Sequence, residues 1–178
     1  ILLEVSNSML AQDIKPTRLE RAKQAIGKLI EKLENDRIGI VVFAGKPYTQ
    51  LPITSDFVAA KMFTSTITTD MIPTQGTAIG SAIETALNSF SINDKTRNKA
   101  IVIISDGENH EDDAVESAKE ASERGIYIHT IGMGLPTGTP IPIFKNGIAS
   151  GFKLDADGNT VVTKLNETML QEIAVAGK

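Results

Sequence analysis

Three short stretches carry the residues whose types and spacing could do chemistry. Glu4-x-Ser6-x-Ser8 follows the first apolar run, Gly76-Thr77 precedes an apolar-striped segment, and Asp106-Gly107-Glu108 follows another apolar run. All three offer hard oxygen donors and none offers a soft ligand, so carboxylates and hydroxyls brought together here suit Mg²⁺, Mn²⁺ or Ca²⁺. A spacing of two lets extended backbone aim the Ser6 and Ser8 hydroxyls to one side. The remaining inventory narrows the chemistry. The 178-residue chain has no cysteine, no tryptophan and two histidines. Disulfides, thiol catalysis and cysteine-ligated zinc or iron–sulfur sites are therefore excluded. A net charge of −4 argues against a nucleic-acid partner, which needs a basic face.

These stretches need elements to position them. Apolar, β-rich runs at residues 1–5, 38–44, 100–105 and 126–131 read as buried strands. The longest falls far short of the roughly 20 residues a membrane helix needs. Residues 48–53 form a weaker run, and Pro52 marks it as an edge strand. Amphipathic helices stand between the strands. Thr17-x-x-Glu20 is a capping box ahead of Leu19, Ala22, Ile26, Leu29, Ile30 and Leu33. Ser55 or Asp56 caps a second helix, Ala78 to Phe90 carry a third, and residues 112–124 a fourth that Gly125 closes. Strands alternating with helices predict a three-layer α/β/α sandwich, a Rossmann-like, mostly parallel central sheet with residues 48–53 as its one antiparallel edge. In such sheets ligands bind at the carboxyl ends of the strands, where all three oxygen-rich stretches fall. Beyond residue 132, residues 152–154 and 160–163 read as a hairpin around Asp155–Asn159, and residues 166–176 as a last helix.

Several residues have simpler readings. Asp155-x-Asp157-Gly158-Asn159 resembles the start of a calcium loop, but its twelfth position is Asn166, so a turn is expected. The acidic run Glu111-Asp112-Asp113 suits the first turn of a helix. His110 is expected to be a solvated loop residue near the site, and His129 a satisfied structural residue of its strand.

Glu4-Val5-Ser6-Asn7-Ser8, Thr77 within Gly76-Thr77-Ala78-Ile79-Gly80, and Asp106 within Ile103-Ile104-Ser105-Asp106-Gly107-Glu108 together resemble the von Willebrand factor A domain. Its signature, Asp-x-Ser-x-Ser followed by a Thr and an Asp, is the metal-ion-dependent adhesion site. The wording is closest to the Bat aerotolerance proteins of Bacteroides-like bacteria, of the BatB type. Ser6-Asn7-Ser8-Met9-Leu10, Ile14-Lys15-Pro16, Arg18 to Lys23, Asp106 to His110 and Thr130 to Gly134 carry that likeness. The resemblance implies a single domain over residues 1–178. It implies a longer, membrane-anchored bacterial parent, with this part on the periplasmic side and the family's final edge strand missing. It implies that Ser6, Ser8 and Thr77 hold a divalent cation, most simply Mg²⁺ (Mn²⁺ and Ca²⁺ being the alternatives), with Glu4 and Asp106 acting through water. Asn7, Gly76, Gly107, Glu108 and His110 then form the partner-binding rim. The partner is a protein offering a carboxylate, other Bat-family membrane proteins among the candidates. One position departs from the pattern. The family has Asp where this chain has Glu4, and the extra methylene shifts the water, binds the ion directly or weakens the site.

Two other functions compete with this non-enzymatic reading. A carboxylate after a first strand also occurs in Mg²⁺-dependent phosphoryl-transfer or hydrolytic enzymes. Against that, the chain has no second carboxylate beside Glu4, no phosphate loop, no nucleophile elbow and no evident base for Ser6 or Ser8. The third reading is a structural domain with a vestigial ion site.

Overall fold

Alternation along the first strand dictates the layers. Leu2 and Leu3 are both fully buried, yet successive side chains of a strand point to opposite faces, so β1 (Leu2–Glu4) must be covered on both sides. The computed structural model describes residues 1–90, 98–109, 112–145 and 147–178. In it, β1 lies at the centre of a five-stranded sheet with β2 (Ile38–Phe43), β3 (Pro47–Thr54), β4 (Lys99–Ser105) and β5 (Ile126–Gly132), in the order β3-β2-β1-β4-β5. The pairs β1–β2, β1–β4 and β4–β5 are parallel and β2–β3 is antiparallel. The four core strands and the edge strand therefore fall where the sequence pattern put them.

Five helices complete the layers: α1 (Arg18–Ile30), α2 (Phe57–Ser65), α3 (Ile79–Ser89), α4 (Ala114–Glu123) and α5 (Glu167–Ala176). Leu3, Ile40, Val42 and Ile104 pack with Leu19, Ala22, Ile26 and Ala60 of α1 and α2. Leu2, Val41, Phe43, Ile101 and Ile103 pack on the other face with Ile79, Ile83, Ala118 and Ile173 of α3, α4 and α5. Full burial of each leucine, isoleucine, valine or phenylalanine among them contributes about 1.5–3 kcal/mol. Thr17 caps α1, its hydroxyl accepting from the Glu20 amide at 3.1 Å. Asp56, rather than Ser55, caps α2 by accepting from Ala59 N at 2.8 Å.

The tail departs from expectation. Asp155–Asn159 is a turn, closed by a bridge between Leu154 and Thr160. The Asp155 carboxylate accepts the amides of Asp157 and Asn159. The expected hairpin forms beside the turn, where the Val161 amide donates to the Lys153 carbonyl at 2.8 Å, but its outer ends pair elsewhere. Strand β7 (Pro142–Lys145) pairs with β8 (Ile148–Phe152), with Gly147 between them at φ 77°. Val162–Thr163, β9, pairs with β6 (Thr139–Pro140). Phe152 is thus taken by an earlier strand, because a left-handed glycine supplies a tighter local turn. His129 is a second correction. The Ile126 and Ile128 side of β5 is buried, whereas Tyr127, His129 and Ile131 face solvent. Among the described residues no strand lies outside β5 in the sheet, and the Ile128 amide there donates to the Gly177 carbonyl at 2.8 Å.

Candidate functional site

The carboxyl ends of β1 and β4 bring two acidic side chains into one buried cluster. Glu4 is the last residue of β1 and is fully buried. Its Oε1 accepts the Ser6 hydroxyl at 2.6 Å and the Thr77 hydroxyl at 3.0 Å. Its Oε2 accepts the Ser105 hydroxyl at 2.6 Å and the Asp106 amide at 3.3 Å. Four donors on two oxygens suit an ionised carboxylate. Burial and the nearby Asp106 charge work the other way and push the Glu4 carboxyl up to about 8, against the pull of the Ser105, Ser6 and Thr77 hydroxyls.

The Ser6 and Ser8 oxygens lie 2.8 Å apart. Strand alternation is not what brings them together. Ser6 is extended, and the chain then turns through a 3₁₀ segment over Asn7–Leu10, with the Met9 amide bonded to Ser6 O and the Ala11 amide to Ser8 O. Met9, fully buried, anchors that turn in the core. Since Ser6 gives its one hydrogen to Glu4, Ser8 donates to Ser6.

Thr77 is held by a loop laced to its neighbours. The Gly45 amide bonds Thr74 O, the Ala78 amide bonds Ala44 O, and Asn7 N donates to the Gln75 side chain at 3.0 Å. Gly76 has φ 116°, which an L side chain rarely adopts. Helix α3 begins immediately afterwards with no cap of its own. The loop after β4 supplies one: Asn109 Oδ1 accepts from Ile79 N, and the Asp112 carboxylate accepts from Gly80 N at 2.9 Å and Ser81 N at 2.8 Å. Capping across elements ties the Thr77 loop to the Asp106 loop.

Asp106 is also fully buried. Its Oδ1 accepts the Glu108 amide at 3.1 Å, and its Oδ2 accepts from Arg18 Nη1 at 2.9 Å. Arg18, which no sequence argument singled out, is a fully buried guanidinium. Asp13 grips it from the other side, Nε to Oδ1 at 3.0 Å and Nη2 to Oδ2 at 2.8 Å. Thr163 accepts from Nη1 at its hydroxyl and from Nη2 at its carbonyl. A cation in the first turn of a helix faces the positive end of the dipole, so the helix itself gives no reason to place an arginine there. Asp106 lies 88 residues away in the chain, beyond any local signal. Ser105, Asp13 and Thr163 were likewise missed.

The expected rim is divided. Asn7 and Gly76 are half-buried at the site's edge. Gly107 is not on a rim at all: it is buried, with φ 78°, and a Cβ there would lie 2.6 Å from the Asn166 carbonyl. Glu108 is drawn away to Lys164 N and the Thr163 hydroxyl, because the segment around β9 packs over that side. His110 lies outside the described residues, as do Glu111 and residues 91–97.

The donor set fits a hard cation. Among the described residues there is no cluster of three or more His, Cys, Asp or Glu that could hold a metal. A site here must therefore rest on hydroxyls. Ser6 and Thr77 donate their hydrogens to Glu4 and Ser8 donates its hydrogen to Ser6, which leaves both lone pairs of Ser8 and Thr77 and one of Ser6 available. The three hydroxyl residues are slightly exposed, at 5–8%, whereas Glu4 and Asp106 are at 0%. Neutral oxygens thus stand nearest solvent with the carboxylates behind them.

This fold and constellation define a class. Residues 1–108 match the family described as von Willebrand factor type A domain, and the chain belongs to that family. Within it, the chain is similar to an aerotolerance-related membrane protein of Bacteroides fragilis, with 53% identity, 99% of this chain and 85% of that one covered, and a TM-score of 0.93. It is equally similar to the conserved hypothetical protein BatB of Bacteroides thetaiotaomicron, at 51% identity, 99% and 84% coverage and a TM-score of 0.94. A UPF0353 protein of Mycolicibacterium paratuberculosis is 27% identical over 98% of this chain and 52% of its own length. The chain spans about half the length of the first curated relatives it matches.

Proposed function

We propose that the chain is a metal-ion-dependent protein-interaction module of a Bat-type protein. Ser6, Ser8 and Thr77 hold a divalent cation directly, and Glu4 and Asp106 act behind them. One observation carries this reading: each of the three hydroxyls spends its hydrogen inside the cluster and keeps at least one lone pair free. Bound there, the cation supplies a Lewis-acid position that an acidic side chain of a partner completes. Glu4 orients two of the three oxygens from one carboxylate atom, and Ser8 is oriented through Ser6. Mg²⁺ is the proposed ion, with Mn²⁺ or Ca²⁺ as substitutes. Asn7 and Gly76 border the place a partner would approach.

The parent is proposed to be anchored in a bacterial inner membrane with this domain on the periplasmic side. The likeness to an aerotolerance-related membrane protein supports the membrane anchor. No helix among the described residues is long and apolar enough to cross a bilayer.

Calorimetry on the chain tests the site. Wild type is expected to bind Mn²⁺ or Mg²⁺ weakly, since neutral hydroxyls are weak donors, and Ser6→Ala or Thr77→Ala is expected to remove that binding. Unchanged binding in both variants would put the ion elsewhere and end the reading. The same protein with Mg²⁺ is expected to leave a generic phosphate ester intact, and turnover lost in Ser6→Ala would favour an enzyme. A purely structural reading also has an observation in its favour. Among the described residues, no buried side-chain nitrogen or oxygen lacks a partner even without an ion. That reading requires wild type to bind neither ion.

A further inference from the structure

Arg18 places a fixed positive charge inside a cluster proposed to hold a dication. All five of its N–H groups have an acceptor: two meet Asp13, one meets Asp106, and two meet Thr163. Gly134 closes over the guanidinium plane with φ 140°, and a Cβ there would lie 2.8 Å from Cζ. The group therefore cannot swing aside when an ion arrives. Asp106 Oδ2 is committed to it at 2.9 Å with both side chains at 0% exposure. Of the carboxylates that could draw a dication to this site, Asp106 thus has its charge offset in part by the chain itself, through a cation it shares with Asp13. Glu4 contacts hydroxyls and one amide instead.

We infer that Arg18 is the positioning residue that sets the affinity of this site: by pairing with Asp106 it holds divalent binding weak, so that a partner's carboxylate is needed to complete it. The inference rests on the proposed metal reading and adds a sign to it. A residue with a purely structural role would weaken ion binding when removed. Removal of Arg18 must instead strengthen it, because the Asp106 carboxylate then loses its paired cation. At an effective dielectric of about 20, one unit charge within about 10 Å of a dication changes its affinity by about tenfold or more.

Isothermal titration with Mn²⁺ on the 178-residue chain provides the test, using wild type, Arg18→Met, Arg18→Gln and Arg18→Lys. Both neutral variants are expected to bind about tenfold more tightly than wild type. Arg18→Lys keeps the charge and is expected to match wild type. Adding Ser6→Ala to a neutral variant is expected to abolish the gain. Arg18→Gln retains an N–H donor toward Asp106, should the apolar variant fail to fold. If neither neutral variant folds in a chelator, folding on addition of Mn²⁺ supports the inference, and failure to fold with Mn²⁺ overturns it. Equal or weaker binding by the neutral variants, while wild type binds, overturns this inference and leaves the metal reading standing. A gain that survives Ser6→Ala overturns it as well. No binding in wild type or any variant removes both.

Discussion

The two buried carboxylates at the top of the sheet are satisfied in opposite ways. Glu4 is surrounded by three hydroxyls and one amide, all neutral. Asp106 is matched by a buried guanidinium that Asp13 holds in turn. Neutral donors reorient at small cost and leave the Glu4 charge largely uncompensated, so burial raises its proton affinity. A buried ion pair is rigid, and removing either partner strands the other charge in a dry site. One side of the site therefore meets its charge with neutral donors alone and the other with a shared cation, which lessens the rise that burial gives the Asp106 carboxyl without cancelling it. A dication would be drawn to the Glu4 side, where the hydroxyl oxygens also stand.

The largest effect that separates the two sides comes from stability in the absence of metal. Asp106→Asn should cost about 3 kcal/mol, since it breaks a buried pair while Asp13 still partly neutralises Arg18. Glu4→Gln should cost about 1–2 kcal/mol, since it only misplaces a donor opposite the Asp106 amide. Urea denaturation in a chelator at neutral pH measures both. A Glu4→Gln cost equal to or above that of Asp106→Asn would erase the contrast.

A smaller effect tests how the Thr77 side is held. Asp112→Ala removes the cap that α3 borrows from the β4 loop, at a cost of about 1 kcal/mol. Because Thr77 lies two residues before that helix, Mn²⁺ binding should weaken with it. Lost stability together with unchanged Mn²⁺ affinity would show that the cap does not position Thr77.

The smallest effect concerns acid. Burial raises the Asp13 carboxyl, but the Arg18 hydrogen bonds, the Leu135 and Ile14 amides and the Arg18 charge outweigh it and hold the carboxyl below its ordinary value. A carboxylate depressed in the folded state contributes stability that is complete above its unfolded pKa, about 3.9, and is lost as pH falls through the lower folded value. Wild type should therefore lose stability more steeply below about pH 4 than Asp13→Asn does. Parallel acid limbs in thermal melts would show that Asp13 does not carry its share of the ion pair.

Local patterning was enough to lay out the sheet, all five α-helices and the meeting of Glu4, Ser6, Ser8, Thr77 and Asp106. Those features follow from local periodicity and from the rule that parallel strands gather their following loops at one end. The remainder came from packing in three dimensions. The approach of Ser6 to Ser8 depends on a 3₁₀ turn pinned by Met9 in the core, where extended backbone was the natural expectation. The exposure of His129 depends on which face of β5 the helices cover, and alternation alone does not choose between faces. Gly107 left the rim because the residues before α5 fold down onto it. Arg18 is the clearest case: at the start of an amphipathic helix an arginine reads as solvated. Its partners stand 5, 88 and 145 residues away. Long-range charge pairing leaves no periodic trace in a sequence, because it depends on three-dimensional proximity and not on spacing along the chain.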